Sequence, residues 1–276
     1  MKNNLINIPA VILAAGQGTR LLPLTADTPK PMIKIHDRPI IEYILRNLID
    51  VGFRHFLIVT GYKSEKIERW IQEEFCMDIY SCFRKKEGEN LGALAFSFIR
   101  QEDINGTGGA ALLTEQHILK NGYSHFFLTY GDILASKTVY EKLIRKYQGE
   151  DADLYLVANQ TDDPSAGAAV YTNDNKIIRF IEKPPKSAPK TNLGNAGIYI
   201  FNVKIFNALH NTHKSERGEV ELTAPFQPMI ESGDNLSVIK MTDEEFWCDV
   251  GNMKRYKELN QSQDWIRKIE RCDEKI

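Results

Sequence analysis

Two glycines and two cations stand close together near the start of the chain. Gly16 and Gly18 directly follow the apolar run Val11–Ala15, and Arg20 and Lys30 sit beyond them in a loop interrupted by Pro23, Pro29 and Pro31. Glycines at the end of a buried strand let the backbone turn sharply and approach a ligand closely. Backbone N–H groups in such a turn form an anion nest, and an arginine adds a rigid fork of donors. This pattern points to the cradling of a polyphosphate. A P-loop would need a terminal Gly-Lys-Ser/Thr, which is absent, and a dinucleotide fingerprint would need a third glycine where Leu21 stands. The G-x-G pair alone is equally compatible with a plain tight turn.

A second chemical feature lies at the end of Tyr123–Tyr130, a segment of alternating and aromatic residues that closes on Gly131-Asp132. An acid at the carboxyl end of a central strand faces the ligand crevice, where it can hold Mg²⁺. The alternative role of helix cap falls to Ser136, which is better placed for it. Asn105-Gly106-Thr107-Gly108-Gly109 opens an apolar stretch read as a helix over 110–119. It offers a phosphate or base contact at a helix N-terminus, although taken alone a flexible loop is the plainer reading. The six histidines, at 36, 55, 117, 125, 210 and 213, show neither triad nor ligand spacing and read as structural or surface residues.

Elements must hold these groups in place. Ile40, Ile41, Ile44, Leu45, Leu48 and Ile49 recur at helical spacing, and Phe56–Thr60 reads as a short apolar strand. Ser64 opens a helix with Ile67, Trp70, Ile71 and Phe75 inward, Ala95–Gln101 reads as a strand, and Val139, Tyr140, Leu143, Ile144 and Tyr147 mark another helix. Strands alternating with helices predict an α/β fold with a doubly wound sheet. From Asp153 the strands shorten (154–158, 168–171, 177–181 and 196–201), which predicts a smaller, more antiparallel lobe. Helices over 204–209 and 221–230, strands over 236–241 and 245–248, and one amphipathic helix from Met253 to about Arg271 complete the chain. The expected organisation is a nucleotide-binding core over 8–150, a lobe merged with it over 151–250, and a C-terminal helix over 251–276. The charged run Arg84–Asn90 reads as a solvated loop, and Lys183–Lys190 is too rich in proline for regular structure.

At 276 residues, 42% hydrophobic and 26% charged, the composition is that of an ordinary globular protein. A net charge of −2 argues against nucleic acid or an anionic membrane as partner, so any phosphate must meet locally placed cations. Four cysteines without C-x-x-C pairing predict neither zinc nor a disulfide framework. No signal-like or membrane-spanning run is present, and a cytoplasmic location is expected.

The run L-A-A-G-x-G-T-R-L-x-P-L-T, followed by P-K-P-M, resembles the opening loop of the sugar-phosphate nucleotidyltransferases, or NDP-sugar pyrophosphorylases. The likeness extends in order to residue 251. It implies a Rossmann-like mixed sheet of the nucleotide-diphospho-sugar transferase type with a smaller sugar-binding lobe. It further implies nucleotide contacts at Leu13, Ala14, Ala15, Gly16, Gly18 and Thr19, and base reading by Gln101 with Gly106 and Thr107. Gly167, Glu182 of Glu182-Lys183-Pro184 and Asn195 resemble sugar contacts. Asp132 and Asp249 of Trp247-x-Asp249-x-Gly251 resemble the two Mg²⁺ carboxylates. The implied reaction joins an NTP to a sugar 1-phosphate with release of pyrophosphate. In it Arg20 clamps the β- and γ-phosphates, Lys30 supports the α-phosphate and Lys183 positions the attacking sugar phosphate. Because that nucleophile is already anionic, the reaction calls for cations and Mg²⁺ rather than a histidine or cysteine.

Gln101 favours UTP or dTTP, with CTP or GTP and another phosphorylated acceptor as the alternative. Three departures from the family pattern stand out: Asn252 where threonine is usual, Ala224 where aspartate is common, and a long stretch over 76–94. No hexapeptide β-helix follows residue 251, so a fused acetyltransferase is not expected. Two rival readings are a metal-dependent glycosyltransferase using Asp151-Ala152-Asp153 and a catalytically silent regulatory homologue. Homo-oligomerisation is left open.

Overall fold

The computed structural model describes residues 5–75, 93–164, 167–215 and 218–270. The long stretch expected over 76–94 falls mostly outside them, as do Cys76, Cys82 and Cys272. In the first half the strands are β1 (Ala10–Ala14), β2 (Lys34–Ile35), β3 (Arg38–Pro39), β4 (His55–Thr60), β5 (Ala95–Arg100), β6 (His125–Tyr130) and β7 (Ile133–Ala135). The helices among them are α1 (Ile40–Val51), α2 (Ser64–Phe75), α3 (Thr107–Leu112), α4 (Glu115–Lys120) and α5 (Lys137–Gly149). Then follow β8 (Leu154–Gln160), β9 (Ala168–Asn173), β10 (Lys176–Glu182), β11 (Leu193–Asn202), α6 (Lys204–His210) and α7 (Phe226–Glu231). The described chain closes with β12 (Leu236–Lys240), β13 (Trp247–Asp249), α8 (Met253–Gln261) and α9 (Asp264–Glu270).

Nine strands form one sheet in the order β5-β4-β1-β6-β11-β8-β12-β10-β9. The first four are parallel, and β11 joins β6 antiparallel. All five residues of β1 are buried, as a parallel strand covered on both faces requires. Its alternate residues serve two cores. Ala10, Ile12 and Ala14 pack with α1, α5 and α9, whereas Val11 and Leu13 pack with α3, α6 and α7. Helices therefore cover both faces, the expected doubly wound arrangement. The chain winds outward from β1 to β4 and β5 and then returns to place β6 on the other side of β1. The crevice beyond the carboxyl ends of β1 and β6 is thus the topological switch point, where such sheets bind ligands.

The strands of the second half, β8 to β12, continue this same sheet and are not shorter as expected: β8 has 7 residues and β11 has 10, against 5 in β1 and 6 in β4. Four local expectations are corrected. The helix read over 110–119 begins at Thr107 and breaks after Leu112, where the buried Thr114 hydroxyl bonds back to the Ala111 carbonyl at 2.6 Å. The C-terminal helix likewise breaks at Ser262, whose hydroxyl accepts the Asp264 N–H at 3.1 Å and starts α9 afresh. Ser136 does not cap α5 with its side chain; its hydroxyl accepts the Phe246 N–H at 2.8 Å instead. The helix read over 221–230 is confined to α7, because residues before it lie against α3. No helix among the described residues is long and apolar enough to cross a membrane.

Candidate active site

The loop leaving β1 is shaped by Gly18 and Thr25. Gly18 has φ +66, and a Cβ there would lie 2.9 Å from the Thr25 methyl and 3.0 Å from Lys30 Cβ. The buried Thr25 hydroxyl donates to the Gly18 carbonyl at 2.9 Å, folding the loop back on itself. Arg20 and Lys30 each stand in a 3₁₀ turn, Thr19–Leu21 and Lys30–Met32. Leu13, Ala14, Ala15, Gly16, Gly18, Thr19, Arg20, Lys30, Gln101, Gly106, Thr107 and Asp132 all line one cavity of about 430 Å³. A second cavity, of about 580 Å³, is lined by Gly167, Asn195 and Asp249 and shares Tyr130 and Asp132 with the first. Glu182 and Lys183 line neither.

The two cavities meet at a charged trio. Lys30 Nζ is hydrogen-bonded to Asp132 and lies 3.8 Å from Asp249. Asp132 follows β6, and Asp249 is carried to it by the pairing of β13 with β7, in which Asp249 stands opposite Ile133. Burial, then the neighbouring Asp132 carboxylate, pushes the Asp249 carboxyl up to about 6, against the opposing pull of Lys30 and Arg20. Two carboxylates facing each other in this way hold more negative charge than one lysine balances.

Gln101 is buried at the end of β5, with its backbone N–H donated to Thr60. Its side-chain NH₂ donates to Asn105 Oδ1 at 2.9 Å and to the Gly106 carbonyl at 3.3 Å. A carbonyl partner fixes which end of the amide is nitrogen, so Oε1 is the end left to accept from a ligand.

On the acceptor side, β11 carries a bulge between Asn195 and Tyr199. Gly197 at its centre has φ +72, and a Cβ there would lie 2.4 Å from Ile133 Cδ1 and 2.7 Å from the Tyr130 ring. The bulge turns Asn195 toward the second cavity, where its Oδ1 accepts the Gly197 N–H at 3.1 Å. Glu182 and Lys183 do not line that cavity but are joined through their backbone to residues that do. Glu182 pairs with Ala168 across β10 and β9, and the Lys183 N–H donates to the Gly167 carbonyl at 2.7 Å. Lys183 adopts φ +45, a strained conformation for a non-glycine residue of the kind that clusters at functional sites. Desolvation raises the Glu182 carboxyl, opposed by the Thr223 hydroxyl, which donates to it at 3.0 Å.

The family model described as nucleotidyl transferase matches residues 9–264. The chain belongs to the nucleotidyl transferase family. It is 36% identical over 243 residues to the bifunctional protein GlmU of Methanococcus aeolicus, covering 88% of this chain and 51% of that protein. The chain thus spans about half the length of such GlmU relatives. It is 30% identical over 235 residues to the UTP–glucose-1-phosphate uridylyltransferase AglF of Haloferax volcanii, covering 84% of this chain and 87% of that one. Among solved structures, a UDP-glucose pyrophosphorylase complexed with UDP-glucose shares the fold, with TM-score 0.77 and 23% identity over 93% of this chain and 98% of that one.

In this member of the nucleotidyl transferase family, sequence reading alone missed several residues of the two cavities. Tyr130 reads as one more aromatic in a strand, yet it lines both cavities. Glu219 and Glu221 reach the first cavity because the Val220 N–H donates to the Asn105 carbonyl, and the Val220 carbonyl accepts from Gly108, both at 2.8 Å. Asn159, Thr161 and Arg255 line the second. Arg255 was legible only as a charged position on a terminal helix; its distance from Trp247-x-Asp249-x-Gly251 is the one signal that could have found it. Of the departures, Asn252 is the N-cap of α8, its Oδ1 accepting the Arg255 N–H at 3.0 Å, and it also lines the second cavity. Ala224 is exposed and lines neither cavity. The Asp151-Ala152-Asp153 motif lies at the start of β8, where Asp153 pairs with Lys204 at 2.9 Å, away from the crevice.

Proposed function

We propose that this chain condenses an NTP, with UTP or dTTP favoured, with a sugar 1-phosphate, giving an NDP-sugar and pyrophosphate. The observation that carries the reading is the meeting of two cavities at Asp132, with Lys30 set between Asp132 and Asp249. In this reading the first cavity takes the nucleotide, its triphosphate folded along Gly16–Arg20, and the second takes the sugar. A sugar-phosphate oxygen attacks the α-phosphorus in line, and the bond to the bridging oxygen of the departing pyrophosphate breaks. The attacking oxygen is already anionic, so no general base is needed. Arg20 and Lys30 supply positive charge where negative charge accumulates, and catalysis is positioning plus electrostatics. Lys183, whose N–H is bonded to the carbonyl of the lining residue Gly167, is assigned to the sugar phosphate, and Glu182 and Asn195 to sugar hydroxyls.

The donor set fits Mg²⁺. Asp132 and Asp249 offer hard oxygen ligands in a site with excess negative charge, and Mg²⁺ is typically held by one or two carboxylates plus substrate phosphates. Bound there, Mg²⁺ would neutralise phosphate charge and help orient the triphosphate.

The orientation of Gln101 supports the nucleotide preference. Its free Oε1 can accept from the N3–H of uracil or thymine, whereas the N3 of cytosine is itself an acceptor and would face it unfavourably. The retained cations and carboxylates favour turnover over a silent regulatory role. The test is pyrophosphate release with Mg²⁺ across four NTPs and a panel of sugar 1-phosphates. Release confined to UTP or dTTP with one sugar phosphate is expected. Consumption of an NDP-sugar without pyrophosphate release from NTP would establish the glycosyltransferase reading instead.

A further inference from the structure

Strand β8 runs into the wall of the second cavity. Along it Tyr155 and Val157 face the core that packs with α1, α5 and α9, and the next residue on that face is Asn159. Asn159 is 8% exposed, and it lines the cavity together with Thr161, two residues further on. Opposite Asn159 in the antiparallel ladder stands Gly194. A Cβ on Gly194 would lie 3.0 Å from Asn159 Oδ1 and 3.1 Å from the Thr161 methyl, so the missing side chain leaves both groups their place at the wall.

The amide of Asn159 is not used to hold the fold. Its Nδ2 makes one long bond, 3.4 Å, to the Gln160 carbonyl, and among the described residues no donor reaches its Oδ1. A side-chain amide can make up to four hydrogen bonds, and a buried one left unpaired costs stability. Its neighbours on the wall are engaged. Gln160 Oε1 accepts from Asn192 Nδ2 at 2.8 Å, the Thr161 hydroxyl accepts the Asp163 N–H at 3.2 Å, and Asn195 is bonded at both ends of its amide, to Tyr199 and to the Gly197 N–H. For packing alone, a buried strand position favours a β-branched or aromatic residue. An open amide in its place sets a donor beside an acceptor, which is complementary to a group that itself both donates and accepts. On a sugar ring that group is a hydroxyl.

We infer that Asn159 reads a free ring hydroxyl of the acceptor in the second cavity and is a specificity-determining residue of the proposed reaction. The inference rests on the proposed reading of that cavity as the sugar site. The substrate class that follows is a sugar 1-phosphate bearing an unsubstituted hydroxyl at the carbon facing Asn159. A sugar lacking that hydroxyl leaves the amide unpaired, and a site built to pair with a hydroxyl rejects the analogue without it.

The test is a set of cycles between enzyme and substrate, read as kcat/KM for pyrophosphate release with UTP or dTTP and Mg²⁺. The acceptors are the 1-phosphates of glucose, galactose, mannose and N-acetylglucosamine, followed by the monodeoxy analogues of the one turned over fastest, each with the native chain and with Asn159→Ala. In the native chain, loss of the hydroxyl at one ring position should lower kcat/KM by ~10-fold or more, about one hydrogen bond. Asn159→Ala should lose a similar factor with the parent sugar and nothing further at that position, while the penalties at other positions persist and KM for the nucleotide is unchanged. Its thermal midpoint should stay near that of the native chain, because the amide makes no strong bond within the fold; a merely structural residue would lower the midpoint and cut kcat/KM by one factor with every analogue. Asn159→Val, which suits a buried strand, should give the same pattern and serves if Asn159→Ala does not fold. Additive losses at every position, or no loss on removing the amide, would overturn the inference alone. Absence of pyrophosphate release by the native chain with all of these acceptors would overturn the functional reading and the inference with it.

Discussion

Replacing Lys30 with methionine tests the charged trio directly. The Lys30 side chain is 11% exposed, against 22% for Asp132 and 47% for Asp249. Removing one partner of a fully buried ion pair destabilises by roughly 3–5 kcal/mol, and here the carboxylates keep partial access to water, so a loss of about 2 kcal/mol is expected near pH 8. The loss should depend on pH. Burial and Asp132 lift the Asp249 carboxyl from 3.8 to about 6, so between those values the folded chain binds a proton that the unfolded chain does not. Stability contributed by this group is therefore present at low pH and lost as pH rises through 6. Without Lys30 the repulsion between Asp132 and Asp249 grows, and protonation of Asp249 relieves it. Urea unfolding of Lys30→Met without Mg²⁺ should show the full deficit at pH 8 and a clearly smaller one at pH 5. Adding Asp249→Asn to Lys30→Met should recover most of the deficit at pH 8. An equal deficit at both pH values, with no recovery in the double variant, would refute the electrostatic account.

Gly197→Ala should destabilise by about 2–4 kcal/mol in urea unfolding, combining a left-handed alanine with overpacking against Ile133 and Tyr130. Native-like stability would mean the bulge relaxes without strain. Asn252→Ala should lose ~1 kcal/mol through the missing N-cap of α8, whereas Asn252→Thr should lose only a few tenths; equal losses would place the role of Asn252 elsewhere. Gln101→Ala should lower the preference for UTP over CTP, measured as a ratio of kcat/KM, by roughly tenfold, about one hydrogen bond. An unchanged ratio would remove Gln101 from base reading.

Three of the four corrected elements share one cause. Thr114, Ser136 and Ser262 carry hydroxyls that can bond locally or to a distant backbone group, and sequence offers no means of ranking those partners. Phe246, far along the chain, claims Ser136; Thr114 and Ser262 turn to near neighbours and interrupt helices that periodicity alone would continue. Asn252 shows the converse, because a departure from a family pattern becomes intelligible once its side chain is seen capping α8.

What the sequence by itself determined is the local grammar of the first half. Apolar runs, helical periodicity and glycine turns prescribe strand, loop and helix, and the parallel sheet with its switch-point crevice follows from their alternation. The residues named from the opening loop, Leu13 to Lys30, consequently lie together, since a short loop leaves them little freedom to separate. Only the tertiary structure decided what lies across the crevice. Asp249 reaches Asp132 through the pairing of β13 with β7, Asn195 is aimed by a bulge, and Tyr130 becomes a shared wall because Gly197 makes room for it. Those placements depend on contacts between segments distant in the chain, whose energies are set by packing that no local pattern encodes.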